Sequence, residues 1–414
     1  MVLSHRGCNR PLGLAILTAT VVLASAPANA QSSIDSDSRP FELAPEYNPL
    51  GVRLGQATLY PALSLLAEHD SNIYAEPENE KDDRILYLVP RLRAEVTGGA
   101  WQFRGIAQAQ VRRYLKYKTE NSTSGLVEGD ARWSPREGET FRANGSWQRL
   151  TEDRGDPEAS DNPNARPRRL NLFRGELHYR REGGTWLLGV GGQVNRFDYL
   201  AGADVFRDHS SYAGQASLGR RVGGLTYVTV TTFVNRLEFN RADITGINRD
   251  ATTYGVRGGV TINPGGILHG EASIGAFRFE PKDKAIGAYT GLSLAGNLVY
   301  RPTQRTTLIL ESFRGNVATF RAGAVSRTDT RFQMTLQQEI RHNLFGRLAG
   351  YSRNSDYRGN RKSERTRGVE AEIDYLLNRH VAVSFNARYA NRSSADPLER
   401  FGRFRATVGV RLRL

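Results

Sequence analysis

Cysteine is nearly missing from this 414-residue chain, whose one copy is Cys8. That residue precedes an apolar stretch, Leu12 to Ala26, which runs into Ala28-Asn29-Ala30. With Arg6 and Arg10 ahead of it, the arrangement reads as a cleavable secretory signal peptide over residues 1–30, leaving Gln31 first. A bilayer-crossing helix needs roughly 20 apolar residues, and this stretch is shorter. Cleavage would remove Cys8, so the mature chain would have no disulfide and no thiolate for metal binding or catalysis.

Long apolar runs are missing as well. Beyond Gln31 there is no stretch long enough for a transmembrane helix, and the mean hydropathy is −0.50. A β-barrel escapes that test, because only alternate residues of its strands meet lipid. No Pro- or Ser-rich linker divides the chain. Also absent are Gly-x-Ser-x-Gly, a Gly-rich phosphate loop, His-Glu-x-x-His and any cysteine-based metal spacing, so no cofactor is expected. Asp208-His209-Ser210-Ser211 is the one catalytic-looking run, but adjacent strand residues leave opposite faces and cannot easily form a relay. Glu370 and Glu372 share a face, and there they are expected to meet arginines of neighbouring strands rather than act as acid and base.

What the chain does have is alternation. It closes on Thr407-Val408-Gly409-Val410-Arg411-Leu412-Arg413-Leu414, in which every second side chain is apolar. Period two is the signature of a strand. Eighteen such segments can be marked, near 57–69, 84–97, 100–115, 121–134, 139–152, 168–181, 185–199, 208–221, 225–239, 251–263, 267–280, 287–301, 305–319, 327–341, 344–354, 364–377, 380–392 and 400–414. Their connections alternate too. Tight ones such as Gly98-Gly99, Glu182-Gly183-Gly184 and Gly223-Gly224 take turns with long polar ones such as Asp70–Asp83, Glu152–Pro167, Asn240–Asp250 and Asn354–Ser363.

Short turns on one side and long loops on the other are the asymmetry of outer-membrane barrels. The expected fold is therefore all-β, an eighteen-stranded antiparallel transmembrane β-barrel over residues 56–414, preceded by a periplasmic tail over 31–55. The expected location is the outer membrane of a Gram-negative bacterium, with membrane lipid around the wall. Thr407, Gly409, Leu412 and Leu414 match the terminal-strand signal read by the barrel insertion machinery, with Leu in place of the usual final aromatic. Segments 225–239 and 344–354 alternate poorly, and their faces stay unassigned.

The net charge of +14 is the other positive feature. Arg91, Arg93, Arg104, Arg112, Arg174, Arg180, Arg257, Arg388, Arg403, Arg405, Arg411 and Arg413 all fall on the predicted inward face. A narrow tube lined by one sign concentrates the opposite sign, which would favour an anionic cargo, although Glu95, Glu128, Asp130, Glu176, Glu271 and Glu370 offset part of the field. Nucleic acid is not an expected partner, because the arginines follow strand register instead of forming a patch. Trp101, Phe103, Trp133, Phe141, Trp147, Phe173, Tyr179 and Trp186 fall on outward faces, as girdle residues do.

The opening of the mature chain adds a resemblance. Tyr47-Asn48-Pro49-Leu50-Gly51-Val52-Arg53-Leu54-Gly55, then Leu59-Tyr60-Pro61-Ala62-Leu63 and Asp70-Ser71-Asn72-Ile73-Tyr74-Ala75, resemble the start of the outer-membrane family called putative β-barrel porin 2. Where that family usually has Gly-Tyr-Asp-Asp-Asn, this chain has Glu68-His69-Asp70-Ser71-Asn72, a departure at the first extracellular rim. The resemblance implies an outer-membrane pore for passive translocation of a secreted exopolysaccharide, working beside a periplasmic polysaccharide export or copolymerase protein. A general or anion-selective diffusion porin is the alternative reading, and an outer-membrane hydrolase at the rim is a third. The alternation does not decide whether a loop enters the lumen.

Overall fold

The computed structural model describes residues 41, 43–159, 165–242, 246–284, 286–321, 323–359 and 362–414. The expected signal peptide and residues 31–40 of the expected tail lie outside the described residues. Where side chains alternate, the backbone is extended. A short strand, β1 (Val52–Leu54), leads into β2 (Ala57–Asp70), β3 (Asp83–Gly98), β4 (Trp101–Tyr114), β5 (Ser122–Arg136), β6 (Glu139–Thr151), β7 (Arg169–Gly183), β8 (Trp186–Tyr199) and β9 (His209–Gly223). The second half is β10 (Thr226–Phe239), β11 (Ala251–Ile262), β12 (Leu268–Pro281), β13 (Tyr289–Thr303), β14 (Thr306–Val317), β15 (Ser326–Arg341), β16 (Leu344–Arg358), β17 (Ser363–Leu376), β18 (Val381–Ser394) and β19 (Phe401–Arg413).

Each long strand is antiparallel to its chain neighbours, and β19 closes on β2 from Arg405 opposite Asp70 to Arg413 opposite Ala62. The result is an eighteen-stranded barrel with β1 as an added strand on β2, where Val52 faces Leu59. Closure is what a bilayer demands, since an open edge would leave peptide groups unbonded in hydrocarbon. The outer face carries Val408, Leu412 and Leu414, about half exposed, while Arg403, Arg411 and Arg413 of the same strand are each under 10% exposed. The tight turns depend on glycine at Gly99 (φ 47°) and Gly184 (φ 53°), a left-handed backbone that other residues resist.

At the tight-turn end an aromatic row crosses four strands on the outer face. Trp101, Trp133, Phe141 and Tyr179 are register partners in succession, with ring centroids 5.3, 5.1 and 4.7 Å apart. Such a belt suits the lipid–water boundary, where rings are apolar on one side and wet on the other.

The two strands whose faces could not be read from sequence are those with apolar groups on both sides. In β10, Val228, Val230 and Val234 point outward, yet Phe233 and Leu237 on the inner row are buried too. Phe233 packs with Phe277, Phe279 and Ile286, and Leu237 with Ala318 and Phe320, so infolded segments cover this part of the wall. In β16, Leu348 faces out beside Gly346 and Gly350, while Phe345, Ala349 and Arg353 face in and are buried. The expected long connection Asn354–Ser363 is a correction: β16 continues to Arg358 and β17 starts at Ser363. Ser355 is drawn into the strand by its hydrogen bond to Asp329 on β15, 2.9 Å.

Pairing between β13 and β14 stops at Leu294 opposite Arg314, although β13 begins at Tyr289 and β14 runs on to Val317. Beyond that point the β14–β15 end leaves the wall and leans into the lumen. The Tyr289 hydroxyl bridges the gap by donating to Asn316 Oδ1, 2.9 Å.

Candidate pore and its constriction

The side chains that occupy the mouth come from the connection after β6. Its first residues cross the lumen and bond to the opposite wall. Arg403 Nη1 donates to Asp153 Oδ1 at 2.6 Å and Arg405 Nη1 to Asp153 Oδ2 at 3.0 Å, both from β19. Arg392 of β18 donates to the Gly155 carbonyl. Arg321 Nε, in the β14–β15 connection, donates to the Pro157 carbonyl at 2.9 Å. Glu158 accepts from Arg327 Nη1 of β15 at 2.6 Å, from the Phe320 amide at 2.9 Å and from Thr319 Oγ1 at 3.0 Å. Arg154 pairs with Glu120 of the preceding connection at 2.7 Å. Residues 153–158 are therefore latched across the barrel by polar and ionic contacts.

The β14–β15 connection enters from the other side. Phe320 lies against Tyr199, His209 and Phe239, with centroids 6.1, 5.4 and 6.0 Å away. Behind both segments stands a charge hub on the wall. Asp329 pairs with Arg327 (2.9 Å), Arg331 (2.7 Å) and Arg353 (3.0 Å) and accepts from Ser355, and it is fully buried. Arg403 also pairs with Asp70, the last residue of β2, at 2.6 Å.

Burial and charge set the titration of the latch. Burial alone would raise the Asp153 carboxyl, but Arg403 and Arg405 hold it well below the usual carboxylate range. Asp156, three residues further on, is pushed up to about 7 by burial and by the nearby Asp153 charge, with Arg353 and Arg392 opposing. Glu152 is raised by burial against the pull of Arg207 and Arg168.

The arginines singled out in the sequence fall into four settings. Arg388, Arg403 and Arg405 stand around the latch, Arg388 lying 3.8 Å from Glu68, and Arg112 donates to Ser122 Oγ at 3.0 Å. Along the wall, Arg93 is 3.2 Å and Arg104 3.5 Å from Glu95, with Arg91 on the same row of β3. Arg174 donates to Asn195 at 3.1 Å, and Arg180 pairs with Glu182 at 2.7 Å. Arg411 and Arg413 line the tight-turn end, where Arg413 Nη2 donates to the Asn378 carbonyl at 3.1 Å. Arg257 lies apart, behind the leaning β14–β15 end. Thr407 Oγ1 donates to Glu68 at 2.9 Å, Gly409 packs against Leu66, and Leu412 and Leu414 face outward.

Glu370 and Glu372 lie 3.1 and 3.9 Å from Arg347, an inner-wall ion pair. Asp208 and His209 do not meet: Asp208 accepts from the Tyr199 amide at 2.7 Å, and His209 Nδ1 lies 2.8 Å from the Arg207 carbonyl with its ring on Phe197. At the other mouth, Phe41, Leu43 and Tyr47 pack on the inward residues Phe345, Leu376 and Ala382.

A model of the family described as Putative beta-barrel porin 2 matches residues 44–414. The chain belongs to that family. It is an outer-membrane β-barrel of porin type. Among solved structures it is similar to OccK2 (OpdF) of Pseudomonas aeruginosa, at 13% identity and TM-score 0.45, covering 87% of this chain and 99% of that one. A BenF-like porin from Pseudomonas fluorescens Pf-5 shares 12% identity at TM-score 0.45, covering 87% of this chain and 100% of that one. The siderophore receptor PirA of Pseudomonas aeruginosa shares 10% at TM-score 0.41, covering 86% and 80%. No curated protein matches the chain.

The latch residues were missed in the sequence, and a signal was there for some of them. Arg327, Asp329 and Arg331 share one face of β15 with the polar row Gln333, Thr335 and Gln337, a run of alternating charge at period two. For Asp153 and Glu158 no periodicity exists, because they lie in a connection.

Proposed function

We propose that this family member is an outer-membrane conduit for a secreted exopolysaccharide, delivered from a periplasmic export or copolymerase protein and released at the surface without bond making or breaking. The observation that carries the reading is the latch over residues 153–158. Its contacts are hydrogen bonds and ion pairs to carbonyls, carboxylates and guanidinium groups. A hydrated chain bearing hydroxyls and carboxylates can replace such contacts one for one, whereas an apolar plug would need desolvation to reopen. The arginines around Asp153 favour an anionic polymer. The resemblance of the opening motif supplies the polysaccharide itself.

The same arginines also support an anion-selective diffusion porin. Deletion of the gene separates the two: loss of surface polysaccharide supports the exporter, and normal polysaccharide with impaired uptake of small anions supports the porin. Recordings from the purified barrel that show cation preference would count against an anionic cargo in either form.

A further inference from the structure

Where β14 leaves the wall, a small crevice remains between its inner neighbours and the leaning strand. It is lined by Arg257, Arg314, Asn235, Asn316, Ser293 and the ring of Phe277, among others. Arg257 belongs to β11 and is 3% exposed. Its Nη1 donates weakly to Ser293 Oγ, 3.3 Å, its guanidinium lies 4.3 Å from the centre of the Phe233 ring, and its Nε has no hydrogen-bond partner. Arg314 Nε, on β14, is buried without a partner as well. No carboxylate lines the crevice, and among the described residues neither arginine forms an ion pair, Glu271 acting on Arg257 from beyond contact.

The remaining polar side chains, Asn235, Asn316, Ser293 and Thr253, can each donate a hydrogen bond. Asn235 Oδ1 already accepts from Ser211 and Asn316 Oδ1 from Tyr289, which leaves both amide NH2 groups to donate. The crevice has a volume of about 10 Å³, room for one small group. Buried cations need compensation, and a water molecule would satisfy a hydrogen bond without supplying charge.

We infer that this crevice is a binding site for one small monoanionic group, a halide ion or a single carboxylate, held between Arg257 of the wall and Arg314 of the leaning strand. The occupant joins the two elements, so it fixes the β14–β15 end in the lumen. This site stands whether the cargo is a polysaccharide or a small solute.

The test is chloride-35 NMR on the folded, detergent-solubilised barrel. Wild type gives saturable excess line broadening. Arg257→Gln loses that component, Arg257→Lys keeps part of it, and a change at the exposed Arg278 of β12, Arg278→Gln, keeps it in full. Displacement by acetate assigns the site to carboxylates as well as halides, resistance to acetate assigns it to halides, and both support it. Equal broadening in wild type and Arg257→Gln, with both showing heat-modifiable migration of a folded barrel, overturns it. Should Arg257→Gln fail to assemble, Arg314→Gln is read in the same way.

Discussion

At Asp329 a single carboxylate serves three guanidinium groups, those of Arg327, Arg331 and Arg353. Removing one member of a buried charge network leaves the others uncompensated, at about 3–5 kcal/mol. Asp329→Ala is therefore expected to loosen the mouth locally while the hydrogen-bonded wall stays closed. Noisier, larger single-channel currents with unchanged heat-modifiable migration would confirm it. Asp156 gives a second prediction at this scale. It titrates at about 7 when docked and at 3.8 when exposed, so the docked latch binds the proton more tightly. Its contribution is full below 3.8 and is lost as pH rises through about 7. Asp153, facing Arg403 and Arg405, stays ionised across this range and adds no slope, while Glu152, raised as well and facing Arg168 and Arg207, adds one of the same sign. Arg353 and Arg392, from β16 and β18, are the guanidinium groups that oppose the rise at Asp156. Open probability should rise from pH 5 to pH 8, and Asp156→Asn should flatten that dependence.

Among the elements, the connection after β6 does the occluding. Deleting residues 153–158 is expected to raise conductance without preventing assembly, since they lie between β6 and β7 and in no barrel strand; unchanged conductance in planar bilayers would contradict this. The strands themselves were legible because lipid outside and water inside impose period two on nearly all of them. Alternation failed where both faces are dry: Phe233 and Leu237 of β10 lie under infolded segments, and Phe345 of β16 lies under Phe41. The end of β16 was missed for a related reason. Tyr357 and Ser355 are held by partners on the latch and on β15, and no local pattern announces a partner that is distant in sequence. Asp153 and Glu158 were illegible for the same cause, since their arginines are contributed by strands at the far end of the chain.

For the whole molecule, the basic excess matters less than its placement. Glu95, Glu182 and Glu370 pair with lumen arginines along the wall, whereas Arg403 and Arg405 stand where residues 153–158 narrow the lumen and share the Asp153 carboxylate. Anion preference, read as a reversal potential under a salt gradient, should thus fall more on Arg405→Gln than on Arg104→Gln. Equal effects would place the selective field in the wall as a whole.

The segment carrying Phe41, Leu43 and Tyr47 sits inside the tight-turn mouth, and β1 ties it to β2 a few residues later. A segment on so short a leash cannot diffuse away if it is displaced from the mouth. Its return is intramolecular, governed by tether length and independent of how many barrels the membrane holds. Reoccupation of the mouth would then need no second molecule, only the tether that β1 supplies.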